Sequence, residues 1–206
     1  MVSAFTSGRR DHDLQLAGVV VLVTALGVGF NVLRLVLGLD RAPLADSLVA
    51  FAALTLLAAG LAARLGMSRE QLGLRRPDLV AVALGGTMAV IVLAGAAWWT
   101  APFIHVPSPV QLASGVLLFG VGTAPAEELL FRGLLYGVID RRGGPVLATG
   151  VSALAFALAH VPVYGWGSLG IAVSAGLVLG WLRWWSGSLV LPGLVHVVAD
   201  LAILWL

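Results

Sequence analysis

Cysteine and lysine are both absent from this chain of 206 residues. Without cysteine there is no disulfide, no thiolate nucleophile and no cysteine metal site. Charge is scarce as well: 11% of the residues are charged, against roughly 25% in an average soluble domain. Every basic side chain is an arginine, 12 of them against 10 acids, for a net charge of +2. The sequence pI of about 9.9 is therefore not a nucleic-acid footprint. Arginines beside apolar runs set membrane topology instead, and no nucleic-acid partner is expected. Repeated alternating strands are also missing, which argues against a membrane barrel.

What the chain has is apolar length. Its composition is 60% hydrophobic and its mean hydropathy is +1.02, the signature of an integral membrane protein. Residues 1–206 read as a single integral membrane domain, with membrane lipid as its surroundings. Seven stretches approach the length of a span: Leu14 to Leu37, Pro43 to Ala63, Leu79 to Ala101, Leu112 to Tyr136, Pro145 to His160, Ser168 to Trp185 and Ser188 to Leu206. The first is too long for an ordinary signal-peptide core and reads as a span that stays. The expected fold class is all-α, a polytopic transmembrane helix bundle of about seven spans, seven to eight in range.

The connections differ in charge. Arg9 and Arg10 precede the first span, Arg64, Arg69, Arg75 and Arg76 follow the second, Arg141 and Arg142 follow the fourth, and Arg183 lies near the turn after the sixth. The alternate connections carry almost none, which places the N-terminus in the cytoplasm of a multi-pass cell-membrane protein. The segment around Pro107 and Pro109 reads as an irregular outer loop. Gly133 with Gly137, and Gly176 with Gly180, have the spacing of close helix contacts. Trp98, Trp99, Trp181, Trp184, Trp185 and Trp205 gather near span ends as an interfacial belt does.

Against this background a few polar side chains demand a reason, because ionisable groups inside a membrane are costly and commonly functional. Glu128 and Arg132 are four residues apart and share a helix face, as a structural ion pair would. Glu127 points about 100° away round the helix. It has no polar neighbour four residues on, so its partner must come from another helix or from water. His160 follows Phe156 by one turn. His196 and Asp200 are also one turn apart, and an aspartate there could orient the imidazole, share a ligand or donate a proton. The first three candidate spans contribute almost nothing polar.

Depth is compatible with one cluster. At about 1.5 Å per residue, Glu127 lies roughly 15 Å and Asp200 roughly 18 Å from the cytoplasmic ends of their spans. His160 comes out at roughly 22 Å and fits only if helices tilt or its span begins late. A carboxylate and a histidine can together take a proton from water, and a second imidazole with a neutral acid can stabilise an oxyanion. The same side chains could hold zinc and its water, although no H-E-x-x-H run is present. Spacing alone also leaves a proton-coupled transporter open.

The three motifs, Glu127-Glu128-x-x-x-Arg132, Phe156-x-x-x-His160 and His196-x-x-x-Asp200, occur in that order in the region 112–206. Together they resemble the CAAX-protease and bacteriocin-processing family of intramembrane proteases, the Rce1-like group. The resemblance implies an intramembrane glutamic endopeptidase, traditionally labelled a metalloendopeptidase. Glu127 would activate water, His160 would hold or polarise it, and His196 with Asp200 would form the oxyanion side. Glu128 and Arg132 would brace the helices, and Phe156 would pack beneath the site. No cofactor is favoured; zinc, if present, would sit on Glu127, His160, His196 and Asp200. Asp200 stands where many members have asparagine, and an ionised aspartate would repel an oxyanion. The expected substrate is a membrane-associated peptide or protein, CAAX-type and lipidated or bacteriocin-like. The alternative is a non-cleaving immunity or scaffold protein.

Overall fold

The computed structural model describes residues 2–100 and 108–202. The expected loop before Ser108 and the belt residue Trp205 lie outside the described residues, as do the side chains of Arg9, Arg10, Trp98 and Trp99. Among the described residues there is no strand; the elements are helices throughout. Helix α1 spans Val2–Val36, α2 Pro43–Arg64 and α3 Leu79–Thr100.

The next helix, α4, opens at Pro109 rather than at the expected Leu112. The start has a local cause. Ser108 and Gln111 form a reciprocal capping box, with Ser108 N–H donating to Gln111 Oε1 (2.8 Å) and Gln111 N–H to Ser108 Oγ (3.3 Å). Pro109 occupies the first helical position, where a missing amide hydrogen costs nothing. After Pro109–Gly115 the helix is π-wound over Val116–Thr123, α-wound over Ala124–Glu128 and π-wound again over Leu129–Leu135. Pro125 lacks the N–H that a regular ladder needs.

Helix α4 does not stop at Tyr136. It runs on into the element Tyr136–Tyr164, which is divided only at Gly144 (φ 76°, ψ 173°). That conformation suits glycine and ends the first half. Residues 145–164 form α5, which folds back along α4 and brings Phe156 against Phe131 at 5.5 Å. Helix α6 spans Leu169–Ser186 and α7 Val190–Ala202.

Four described stretches are long and apolar enough to cross a membrane: Gln15–Val36, Pro43–Arg64, Pro109–Tyr164 and Trp166–Ser186. Large apolar side chains lie bare on their outer faces, including Val36, Leu56 and Ile171, each more than 70% exposed. Lipid rather than water is the solvent that accepts such a surface. The chain is a polytopic membrane helix bundle.

Its core is centred on α4 and α5. Leu130, Leu134, Leu135 and Ala148 are fully buried there, together with Val23 from α1 and Leu54 from α2. Gly176 and Gly180 of α6 face Ala153 and Thr149 of α5, the close helix contact that small residues permit. The other glycine pair serves a different neighbour. Gly133 and Gly137 admit the backbone of the 65–78 connection at Leu72 O and Gln71 O, not another helix.

Candidate active site

The two glutamates of the first motif lie on the short α-helical segment between the two π-wound stretches of α4, and Arg132 lies in the second of those stretches. π-helical turns are uncommon and collect at functional sites. His160 comes from α5 and His196 with Asp200 from α7. The depths that looked uneven in the sequence are reconciled by the extra turns of α4. Counted from Gly144, Glu127 and His160 stand 17 and 16 residues away, roughly 25 Å and 24 Å along their helices.

Glu127 Oε2 faces both imidazoles, 3.7 Å from His160 Nε2 and 3.8 Å from His196 Nε2. The far nitrogen of each ring is already committed. His160 Nδ1–H donates to the carbonyl of Phe156 (2.8 Å), and His196 Nδ1–H donates to Oε1 of Glu128 (2.9 Å). A neutral imidazole protonated on Nδ1 presents a lone pair on Nε2. Two ring nitrogens and a carboxylate oxygen thus converge on one point, each Nε2 an acceptor in the neutral ring and a donor in the charged one. The gaps exceed a direct hydrogen bond but suit a shared water about 2.8 Å from each atom.

Glu128 is buried and joins two partners. Its Oε1 accepts from Arg132 Nη1 (2.7 Å) as well as from His196. Arg132 is fully buried and donates through Nη2 to Gly176 O (3.4 Å). Phe156 lies under all of these groups. Its ring centroid is 4.2 Å from the Arg132 guanidinium carbon, 4.2 Å from the His160 ring and 5.5 Å from the His196 ring. A guanidinium over an aromatic face is a favourable contact in a desolvated setting.

Of the three roles that spacing left open to Asp200, orienting the imidazole lacks a hydrogen bond. Asp200 does not orient His196: its Oδ1 stands 3.7 Å from Nε2, beyond a hydrogen bond. Glu128 holds the ring from its Nδ1 side, and Asp200 faces the Nε2 side that Glu127 also approaches.

The motif half of the molecule has a counterpart among known families. Residues 109–202 match the family model described as Type II CAAX prenyl endopeptidase Rce1-like. Over that segment the chain is identified with the Rce1-like family. The match covers all three motifs and leaves residues 1–108 outside it. No curated protein and no solved structure matches the chain.

The Rce1-like segment bears on the question of zinc through its donor geometry. A tetrahedral zinc site with ligand bonds near 2.0–2.1 Å places its donors roughly 3.3 Å apart. The gaps around Glu127 and His196 are 3.7–3.8 Å. Among the described residues no group of three or more His, Asp or Glu side chains is arranged to hold a metal ion. As placed, these donors do not fit zinc, and no step below runs through a metal.

The site also leans on residues outside the Rce1-like segment. Asn31 of α1 donates to Ala159 O (2.8 Å), next to His160, and accepts from Arg34 Nη1 (2.6 Å). Arg34 forms a two-pronged ion pair with Asp46 of α2. The expectation that the first spans contribute almost nothing polar is therefore wrong. Asn31, Arg34 and Asp46 were legible as polar residues inside apolar runs, but their spacing matches no motif. Tyr164, in a connection that looked featureless, stacks on His160 with ring centroids 5.9 Å apart and planes 9° from parallel. It lies one turn after His160, which was the available signal.

Proposed function

We propose that the chain is an intramembrane endopeptidase that hydrolyses peptide bonds of membrane-associated substrates through water activated by Glu127 and His160. The observation that carries this reading is the convergence of Glu127 Oε2 on the two Nε2 atoms, with both Nδ1 atoms held elsewhere. Water both donates and accepts, and is the smallest molecule that can meet all three atoms at such a point.

Glu127 takes a proton as the water oxygen bonds to the substrate carbonyl carbon, and His160 orients that water through Nε2. The carbonyl oxygen becomes an oxyanion on the His196 and Asp200 side, where His196 carries a second proton and donates from Nε2 while Glu128 holds Nδ1–H. Asp200 serves there in its acid form, because a carboxylate would repel the developing charge. Collapse of the intermediate breaks the C–N bond, and protonated Glu127 returns its proton to the leaving amine. Glu128 and Arg132 position His196. Phe156 fixes the rings from below.

The whole chain works as one membrane domain on this reading, with seven spans and the N-terminus in the cytoplasm. The alternation of arginine-rich and arginine-poor connections supports that orientation. The substrate class is a CAAX-type or bacteriocin-like peptide presented at the membrane.

The test is cleavage of fluorescent membrane-tethered peptides, prenylated and unprenylated, by purified wild type and Glu127→Gln. Cleavage by wild type alone is the expected result. If neither protein cuts any peptide while a cellular phenotype persists in the variant, the chain is a non-cleaving immunity or scaffold protein.

A further inference from the structure

A second polar centre lies away from the catalytic cluster, at the charged end of the bundle. There the 65–78 connection, the end of α4 and the end of α6 enclose an open cavity of about 330 Å³. Arg75, Arg141 and Arg183 line it.

Arg183 is the unusual member. It was expected at the membrane edge as a topology charge, yet only 6% of its surface is exposed. Its Nε donates to Arg132 O (3.2 Å), its Nη2 to Gln71 O (3.1 Å), and its guanidinium lies 5.3 Å from the Tyr136 ring centroid. Those contacts are to dipoles and a ring. Among the described residues no carboxylate comes within 4.0 Å of Arg183, Arg75 or Arg141. Arg75 itself donates only to a carbonyl, Ser186 O (3.1 Å). A buried cation with no carboxylate in contact is costly, and an anion entering the cavity lowers that cost.

The charge of the cavity limits the anion. Glu70 and Asp140 also line it, so its five charged side chains leave one net positive charge. That balance suits a singly charged phosphodiester and opposes a polyanion. Guanidinium groups recognise phosphate oxygens through paired N–H donors. The aromatic surroundings indicate where such a group comes from. Trp184 lines the cavity and is half exposed, and Trp181 and Trp185 stack beside it with centroids 5.7 Å apart. Tryptophans at the end of an apolar helix mark the headgroup layer, where basic clusters meet acidic lipids.

We propose that this cavity binds the phosphate of an acidic phospholipid headgroup, with Arg183 at its base and Arg75 and Arg141 at its rim. The lipid then ties the 65–78 connection to the ends of α4 and α6.

The test titrates short-chain phosphatidylglycerol, short-chain phosphatidylcholine and inorganic phosphate into the full chain in neutral detergent and reads the thermal unfolding midpoint. Phosphatidylglycerol should raise the midpoint saturably, by about 5 °C at a hundred times its half-saturating concentration; phosphatidylcholine should not. Arg183→Gln also removes the hydrogen bond to Arg132 O, so the decisive variant is the exposed pair Arg75→Gln with Arg141→Gln. It should fold, cleave peptide as wild type does, and lose most of the phosphatidylglycerol shift. An equal shift with phosphatidylcholine, or a full shift in the double variant, overturns the proposal. A saturable shift with inorganic phosphate and none with the lipid assigns the cavity to a free anion and overturns the lipid source.

Discussion

Nδ1 of His196 stands 2.9 Å from Oε1 of Glu128, while Nε2 of the same ring stands 3.8 Å from Oε2 of Glu127. Two consecutive residues of one helix thus address opposite edges of one imidazole from another. Their separation round the helix lets one acid brace the ring while its neighbour faces the reacting space. This division gives the two glutamates different consequences on mutation.

Glu128→Gln should unfold easily as well as lose activity. It leaves Arg132, fully buried, without its carboxylate, a change worth about 3–5 kcal/mol for a broken buried pair. Glu127→Gln strands no buried cation and should unfold within about 1 kcal/mol of wild type. Thermal unfolding of the two variants in the same detergent separates the roles. Equal stability would contradict the bracing role of Glu128.

Asp200→Asn should keep activity within about tenfold of wild type, and Asp200→Ala should fall further. A neutral amide can donate to an oxyanion as a protonated acid does. The pH profiles carry the sign. Wild-type activity should decline as pH rises and Asp200 gives up its proton near His196, Glu127 and His160; the asparagine variant should lack that decline. An identical alkaline limb in both proteins would remove Asp200 from the oxyanion side.

The support from α1 and α2 is open to a paired comparison. Asn31→Ala should cost about 1–3 kcal/mol, since Arg34 loses an acceptor and Ala159 O a donor. Arg34→Gln should cost more, because it leaves the largely buried Asp46 without its cation. Unfolding midpoints of the two variants give the order. The reverse order would show that the ion pair is incidental.

Much of this arrangement was legible in the sequence. The apolar length of the chain and the rarity of charge specify a helical membrane bundle, and six spaced polar residues with Phe156 carry the family motifs. The pair Glu128 and Arg132 follows from helical spacing alone, and their side chains meet at 2.7 Å. Other features depend on contacts that spacing does not encode. The partnership of Glu128 with His196 joins residues 68 positions apart, whereas helical spacing pointed only to Asp200, one turn away. Arg141 and Arg142 looked like a loop, but α4 continues through them until Gly144 reverses the chain. Arg183 looked like a surface charge because no local residue announces the carbonyls of Arg132 and Gln71 that hold it.

Helix packing offers a contrast between glycines. A Cβ at Gly176 would stand 2.8 Å from Ala153 Cα, whereas one at Gly170 meets nothing within 4 Å. Gly176→Ala should therefore push α6 from α5, cost about 1–3 kcal/mol and disturb the Arg132 contact to Gly176 O. Gly170→Ala should be neutral in stability and cleavage. Equal effects would contradict the close α5–α6 contact.

The central claim is that Glu127 is the base that activates water. Its most direct test is the cleavage rate of a membrane-tethered peptide substrate by Glu127→Gln beside wild type, each measured with and without a strong zinc chelator. Loss of the base should lower kcat by about a hundredfold or more, with KM and unfolding midpoint close to wild type and the wild-type rate unchanged by chelator. A Glu127→Gln rate within threefold of wild type would contradict the claim, as would a wild-type rate abolished by chelator and restored by zinc.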